Sequence, residues 1–200
     1  MPSSDSAVIV RPANEASWED LQAVFGTRGP AAVCWCQRYK LAPKESFGAV
    51  PTEDRAHRLR QQTDCDHPGS RTTSGLVAYA DGLPVGWCAV EPRPHYQGLV
   101  RVFRVPWEGR DEDRSDAGIW AVTCLLARAR HRKQGVSKAL ALAAVDFARE
   151  RGARALEAYP IATPTMAEEL HVGTVATFAA AGLVEVHRPT LRRVVMRIDF

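Results

Sequence analysis

Fourteen residues, Cys124 to Ser137, hold most of the chemistry that can be read directly from the chain. An apolar run ending in Cys124-Leu-Leu-Ala127 gives way to Arg128-Ala-Arg-His-Arg-Lys-Gln-Gly-Val-Ser137, and an amphipathic segment follows. A turn at Gly135 would aim successive backbone N–H groups into one concavity, and a helix starting there would add its positive end. Small residues at such a turn let a diphosphate approach the main chain. Five of the six residues from Arg128 to Lys133 are basic or His, enough to hold further phosphate charge. The Gly-Lys-Ser/Thr order of a Walker loop is absent, and one glycine is too few for a dinucleotide fingerprint. The stretch therefore predicts an anion site, set against the plainer reading of a basic helix cap with no ligand.

The cysteines offer a second constellation. Cys34-x-Cys36 and Cys65-x-His67 make two close pairs of zinc-type ligands. One-residue spacing is tighter than usual, and buried cysteine is common, so no metal is expected. Cys124 and Cys88 fall inside predicted strands and read as core. The count of five cysteines is odd, so they cannot all pair within the chain.

The elements that must position these residues follow from local pattern. Ala7–Arg11 reads as a strand, and Ser17 with Asp20 caps a helix whose apolar residues are Trp18, Leu21 and Phe25, ending at Gly26. Residues 27–51 read as irregular, and Thr52–Gln62 as a surface helix with almost no apolar face. Asp81-Gly82 joins Leu76–Tyr79 to Pro84–Val90 as a hairpin. Residues 91–118, with three prolines and a run of charge, read as a long loop. Ile119–Ala127 is a strand buried on both faces, and Val136–Arg151 is the best helix. Ala155–Tyr159, a helix at Val172–Ala181, and strands Leu183–His187 and Val194–Ile198 complete one mixed α/β domain over residues 1–200.

Composition narrows the class. The chain is 46% hydrophobic and 24% charged, within the globular range, which excludes disordered and fibrous classes. A net charge of +3 is too small to argue for a nucleic-acid partner. No apolar run approaches the roughly 18 residues of a membrane helix. The polar opening Met-Pro-Ser-Ser-Asp lacks the order of a signal peptide, so a cytoplasmic protein with reduced thiols is expected.

Arg132-x-x-Gly135-x-Ser137 after an apolar strand resembles the pyrophosphate loop of the GNAT superfamily of acyl-CoA-dependent N-acyltransferases, with Ser137 where Gly or Ala is usual. Ile9-Val-Arg-Pro-Ala13, the Asp81-Gly82 hairpin with Val85-Gly86-Trp87, and Phe178-x-x-x-Gly182-Leu183 fall in that family's order. The resemblance implies a mostly antiparallel sheet of about seven strands, helices on both faces, and a splayed central pair. It implies that Leu125, Leu126 and Ala127 face the pantetheine and acyl carbonyl. It also implies that Arg132, Lys133, Gln134, Gly135, Val136 and Ser137 wrap the pyrophosphate of acetyl-CoA or another acyl-CoA. The acceptor would be the amine of a small molecule. An acyl carrier protein as donor, a catalytically silent acyl-CoA-binding module and a homodimer all stay compatible with it.

Acyl transfer needs a deprotonated amine, oxyanion stabilisation and a proton for the leaving thiolate. The tyrosine that usually supplies that proton is replaced here by Phe178. Glu157 and Tyr159 share one face of a strand and form a candidate base and acid; the alternatives are a part-solvated carboxylate, a packed ring, and solvent as the acid. His171, at the start of the last helix, is a second candidate base. His95 and Tyr96 lie in the proline-rich stretch expected to grip an acceptor. Trp35 and Trp107 are candidates to line that cleft.

Overall fold

The hairpin at Asp81-Gly82 is the seed of the sheet. Both residues adopt positive φ, 51° and 74°, as the tight turn requires. The computed structural model describes residues 7–163 and 171–200. Around the hairpin strands β2 (Gly75–Ala80) and β3 (Leu83–Pro92), the described residues form a seven-stranded sheet with β1 (Ile9–Pro12), β4 (Ile119–Ala127), β5 (Ala155–Ala158), β6 (Val184–Thr190) and β7 (Arg193–Asp199). Its order is β1-β2-β3-β4-β5-β7-β6, and β4 with β5 is its parallel pair. This is the mixed, mostly antiparallel sheet that the family resemblance implies.

Helices cover both faces. On one, α1 (Trp18–Phe25) buries Leu21, Val24 and Phe25 against Val77 and Trp87. Ser17 and Asp20 complete its capping box. On the other, α5 (Val136–Glu150) buries Val136, Leu140, Ala144, Val145, Phe147 and Ala148. There it meets Cys88, Val90, Val122 and Leu156, and the short α6 (Val175–Ala179) adds Phe178.

Three segments differ from the expectation. The irregular stretch contains α2 (Gly29–Cys34), after which Trp35 turns through φ 46° and stacks on Phe25 and Trp18. The surface helix, α3 (Thr52–Thr63), buries Leu59, Thr63 and Arg55. Its Arg55 is held by Phe47 O at 2.8 Å, so burial runs through a polar side chain that an apolar pattern does not count. The stretch 91–118 is not an open loop. It folds as single turns at Arg93–His95 and Val105–Trp107 around α4 (Gln97–Arg101), and lays Tyr96, Leu99 and Trp107 on Ala121, Tyr159 and Val195.

That segment roofs the face of β4, β5 and β7 turned away from α5. Trp107 is its keystone: 3% exposed, its Nε1 donating to Leu99 O at 2.9 Å, with three arginines around its ring. Trp35 and Trp107 are thus core residues rather than cleft lining. Replacing Trp107 by Ala is expected to cost about 3–5 kcal/mol. The loss should read as a lower Tm, with trypsin cutting after Arg101, Arg104 or Arg114 under conditions where the parent chain resists.

Candidate active site

β4 and β5 pair for four residues, Ile119–Val122 with Ala155–Ala158, and then separate. The cause is visible on both strands. Across from β3, Ala89 pairs with Cys124 and Val90 with Val122, so Thr123 is the extra residue of a bulge that bends β4. Beyond β5 the chain turns at Tyr159-Pro160, and Ile161 bridges Thr174 and Arg193 instead of β4. From Thr123 to Ala127, the β5-facing edge of β4 meets no strand among the described residues.

The anion turn lies at the open end of that gap. Lys133 and Gly135 both take positive φ, 62° and 80°, and α5 begins at the next residue. The first intrahelical bond there runs from Ala139 N–H to Gly135 O at 2.9 Å, so the amides of Val136, Ser137 and Lys138 precede it without helical acceptors. A Cβ placed on Gly135 would meet nothing within 4 Å, so the space before the amides is open. Arg130, Arg132 and Lys133 are exposed around it and make no ion pair with a described residue. Arg128 instead braces the loop, donating to Pro84 O at 3.0 Å. An open amide cradle ringed by unpaired cations fits a diphosphate.

Close packing holds the turn against the sheet. A Cβ on Gly86 would lie 2.6 Å from Val136 Cγ1 and 3.0 Å from Leu126 O. Leu125 is buried toward α5, Leu126 faces α1, and Ala127 closes the strand against the α5 core. On the α5 side of the gap, Gly173 (φ 78°) allows Phe178 and Leu125 to close around it. Phe178, 1% exposed, is a packing residue. His171 opens the turn two residues before Gly173 and is half-buried. It is separated in sequence and element from Glu157 and Tyr159, which face the opposite side of the sheet.

Glu157 departs from the expectation of a free base. It is fully buried, and both oxygens are committed. Arg110 reaches Oε1 at 2.5 Å, Arg93 reaches Oε2 at 3.2 Å, Arg197 reaches Oε1 at 3.4 Å, and Tyr159 donates to Oε2 at 2.8 Å. Glu112 and Asp199 bring the carboxylates to three against three guanidiniums. Burial, then the charge of Glu157, pushes the Tyr159 phenol well above its usual value. Glu112 is held below the usual carboxylate range: burial opposes ionisation, but hydrogen bonds and charge from Arg93 and Arg110 outweigh it. A carboxylate so saturated fastens the 93–114 segment to β5. Strand alternation placed Glu157 and Tyr159 on one face correctly; the arginines come from 64, 47 and 40 residues away.

The cavity of ≈ 490 Å³ lined by Arg110, Glu112, His187, Arg197 and Asp199 flanks this cage, at the end where β4 and β5 are still paired. It lies away from the gap and the anion turn, so it is not the candidate active site. Cys34, Cys36, Cys65 and His67 do not come together, and among the described residues no group of three His, Cys, Asp or Glu could hold a metal.

The family model for the acetyltransferase (GNAT) family matches residues 35–171. The chain therefore belongs to that family, whose members transfer an acyl group from acyl-CoA to an amine. Solved structures share the whole architecture at low identity. A GCN5-related N-acetyltransferase from Kribbella flavida is 19% identical, with a TM-score of 0.53 over 97% of this chain and 98% of that one. The PaiA N-acetyltransferase of Thermoplasma acidophilum, in complex with coenzyme A, is 15% identical, with 0.53 over 97% and 99%. YncA of Salmonella typhimurium, a putative acetyltransferase with acetyl-CoA, is 14% identical, with 0.52 over 96% and 94%. A search of curated proteins finds no match. No helix among the described residues is long and apolar enough to cross a membrane.

Two outcomes follow. Gly86→Ala should displace Val136 and the start of α5, lowering stability by about 1–3 kcal/mol. Coenzyme A affinity should fall with it, both read by thermal melts with and without ligand. Glu157→Gln should cost about 3–5 kcal/mol, because buried guanidiniums lose their counter-charge. Acid should act in the same direction through Glu112. Its carboxyl is depressed in the fold, so its contribution is complete above the ordinary carboxylate pKa and is lost as pH falls through the lower folded value.

Proposed function

We propose that this protein transfers an acetyl or other small acyl group from acyl-CoA to the amine of a small molecule, by direct attack and without an acyl-enzyme. The observation that carries the reading is the conjunction at the end of β4: an unpaired strand edge leading directly into an open, cation-ringed amide cradle. Amides of Val136, Ser137 and Lys138 would hold the diphosphate, with Arg130, Arg132 and Lys133 around it. The free edge of Thr123–Ala127 would hold the pantetheine as a strand-like partner and aim an N–H at the thioester oxygen.

No acid is required at the position of Phe178. A thiolate with a pKa near about 8.5 leaves readily and can be protonated by solvent. Tyr159 is a poor donor for this step, because its proton is committed to Glu157 and its pKa is raised. Cysteine nucleophiles are not needed: burial pushes the Cys36 and Cys88 thiols up, away from the reactive thiolate.

Titration calorimetry with acetyl-CoA tests the donor. Saturable micromolar binding is expected, weakened at least about tenfold in Gly135→Asp, where a carboxylate and a Cβ enter a positive-φ anion turn. Competition by adenosine 3′,5′-bisphosphate is expected for a CoA donor and would be absent for a carrier-protein donor. Unchanged affinity in the variant would contradict the assignment of the loop.

A further inference from the structure

We propose that His95, held by Glu91, is the general base that takes the proton from the acceptor amine. This rests on the acyl-transfer reading and adds a catalytic residue to it. The donor cradle and α5 occupy one side of the β4/β5 gap, so the acceptor must approach from the other, which the 93–114 segment roofs. At the border of that roof, Glu91 at the end of β3 sits opposite Ala121, two residues before the bulge that opens the gap. Glu91 is 8% exposed, and its Oε2 is ion-paired to the buried Lys40 ammonium. Its Oε1 faces His95 Nδ1 at 3.4 Å.

This arrangement selects one nitrogen of the ring. A carboxylate at Nδ1 keeps the proton there and leaves the lone pair on Nε2. No described residue hydrogen-bonds Nε2, and the His95 side chain is 59% exposed, so the free nitrogen faces solvent. The next residue fixes where that is. Tyr96 is fully buried against Ala121, in the paired stretch of β4, and Tyr159, the residue that follows β5, and Lys40 Nζ stands 5.3 Å from its ring centroid. His95 is thus the exposed imidazole at the rim of the acceptor face, on a rigid turn, with a buried carboxylate behind it. Glu157, the carboxylate of β5 on this face, has both oxygens committed.

An alkylammonium acceptor gives one proton to His95 Nε2, and its freed lone pair attacks the thioester carbonyl. The N–C bond forms, the tetrahedral adduct loses its second N–H proton through water, and the C–S bond breaks. Coenzyme A leaves as the thiolate and collects that proton, while the imidazolium returns the first to solvent.

The test compares two probe amines that differ in their need for a base. Methylamine, like lysine with a pKa near about 10.4, is protonated at neutral pH, whereas hydroxylamine is mostly neutral. With acetyl-CoA as donor, thiol release by methylamine should fall about a hundredfold in His95→Gln and His95→Ala. Release by hydroxylamine should fall far less. Glu91→Gln should lower the methylamine rate about tenfold or more while sparing hydroxylamine. Acetyl-CoA affinity, measured on the same proteins, should stay within about twofold of the parent. An unchanged methylamine rate in His95→Gln, or equal losses with both amines, overturns the assignment. Failure of the parent protein to bind acetyl-CoA, or to release thiol with either amine, overturns the acyl-transfer reading on which it rests.

Discussion

Four paired residues and then a parting: the geometry shared by β4 and β5 is the constraint on which the rest depends. Parallel pairing up to Val122 and Ala158 fixes the relative height of the two strands. The bulge at Thr123 and the turn at Tyr159-Pro160 then send them apart. Separation of paired strands costs hydrogen bonds, and the chain tolerates it because neighbours on each side hold the strands where they are. On the outer side of β4, the antiparallel ladder with β3 continues to Ala127 opposite Gly86. On the outer side of β5, β7 pairs with it along its whole length, and Ile161 continues onto Arg193. The gap is a property of a stiff frame, so it is preformed for a ligand rather than opened by one.

The same frame explains why the two ends of the β4/β5 pair differ in chemistry. At the open end, charge is exposed and unpaired around Gly135. At the closed end, charge is matched: buried Glu157, Arg93 and Arg110 meet the part-exposed Glu112 and Arg197, and exposed Asp199 pairs with Arg197 at the edge. Ion pairs at a buried centre such as Glu157 contribute little net stability, because the desolvation cost offsets most of the attraction; what they supply is definition of geometry. Here it pins a segment rich in charge onto an apolar sheet face, with Trp107 packed between three guanidiniums. The segment in turn carries Tyr96 onto Ala121 and Tyr159, with His95 exposed beside it.

Much of this is legible in the sequence. The hairpin, the strand-turn-helix around Gly135 and the seven strands all rest on short-range signals: positive-φ turn residues, a β-branched run, an apolar stripe. The 91–118 segment was not legible, because its buried residues Tyr96, Leu99 and Trp107 follow neither a helical nor a strand period. Aromatic residues among prolines and charges were the available hint of a packed insertion. The partners of Glu157 were hidden for a related reason. Alternation along β5 gave its face but could not supply Arg93, Arg110 and Arg197, which arrive from distant segments. Glu91 and His95 are four residues apart, yet their pairing depends on the turn at Arg93–His95, which composition does not specify.

Backbone amide NMR during a coenzyme A titration tests the central claim most directly, because it reads each N–H without needing an acceptor. The largest shifts should fall on Gly135, Val136, Ser137 and Lys138, with a second group along Thr123–Ala127 on the free edge of β4. Shifts confined to the Arg110, His187 and Arg197 cavity, or an undisturbed Gly135 turn under saturating ligand, would contradict the account.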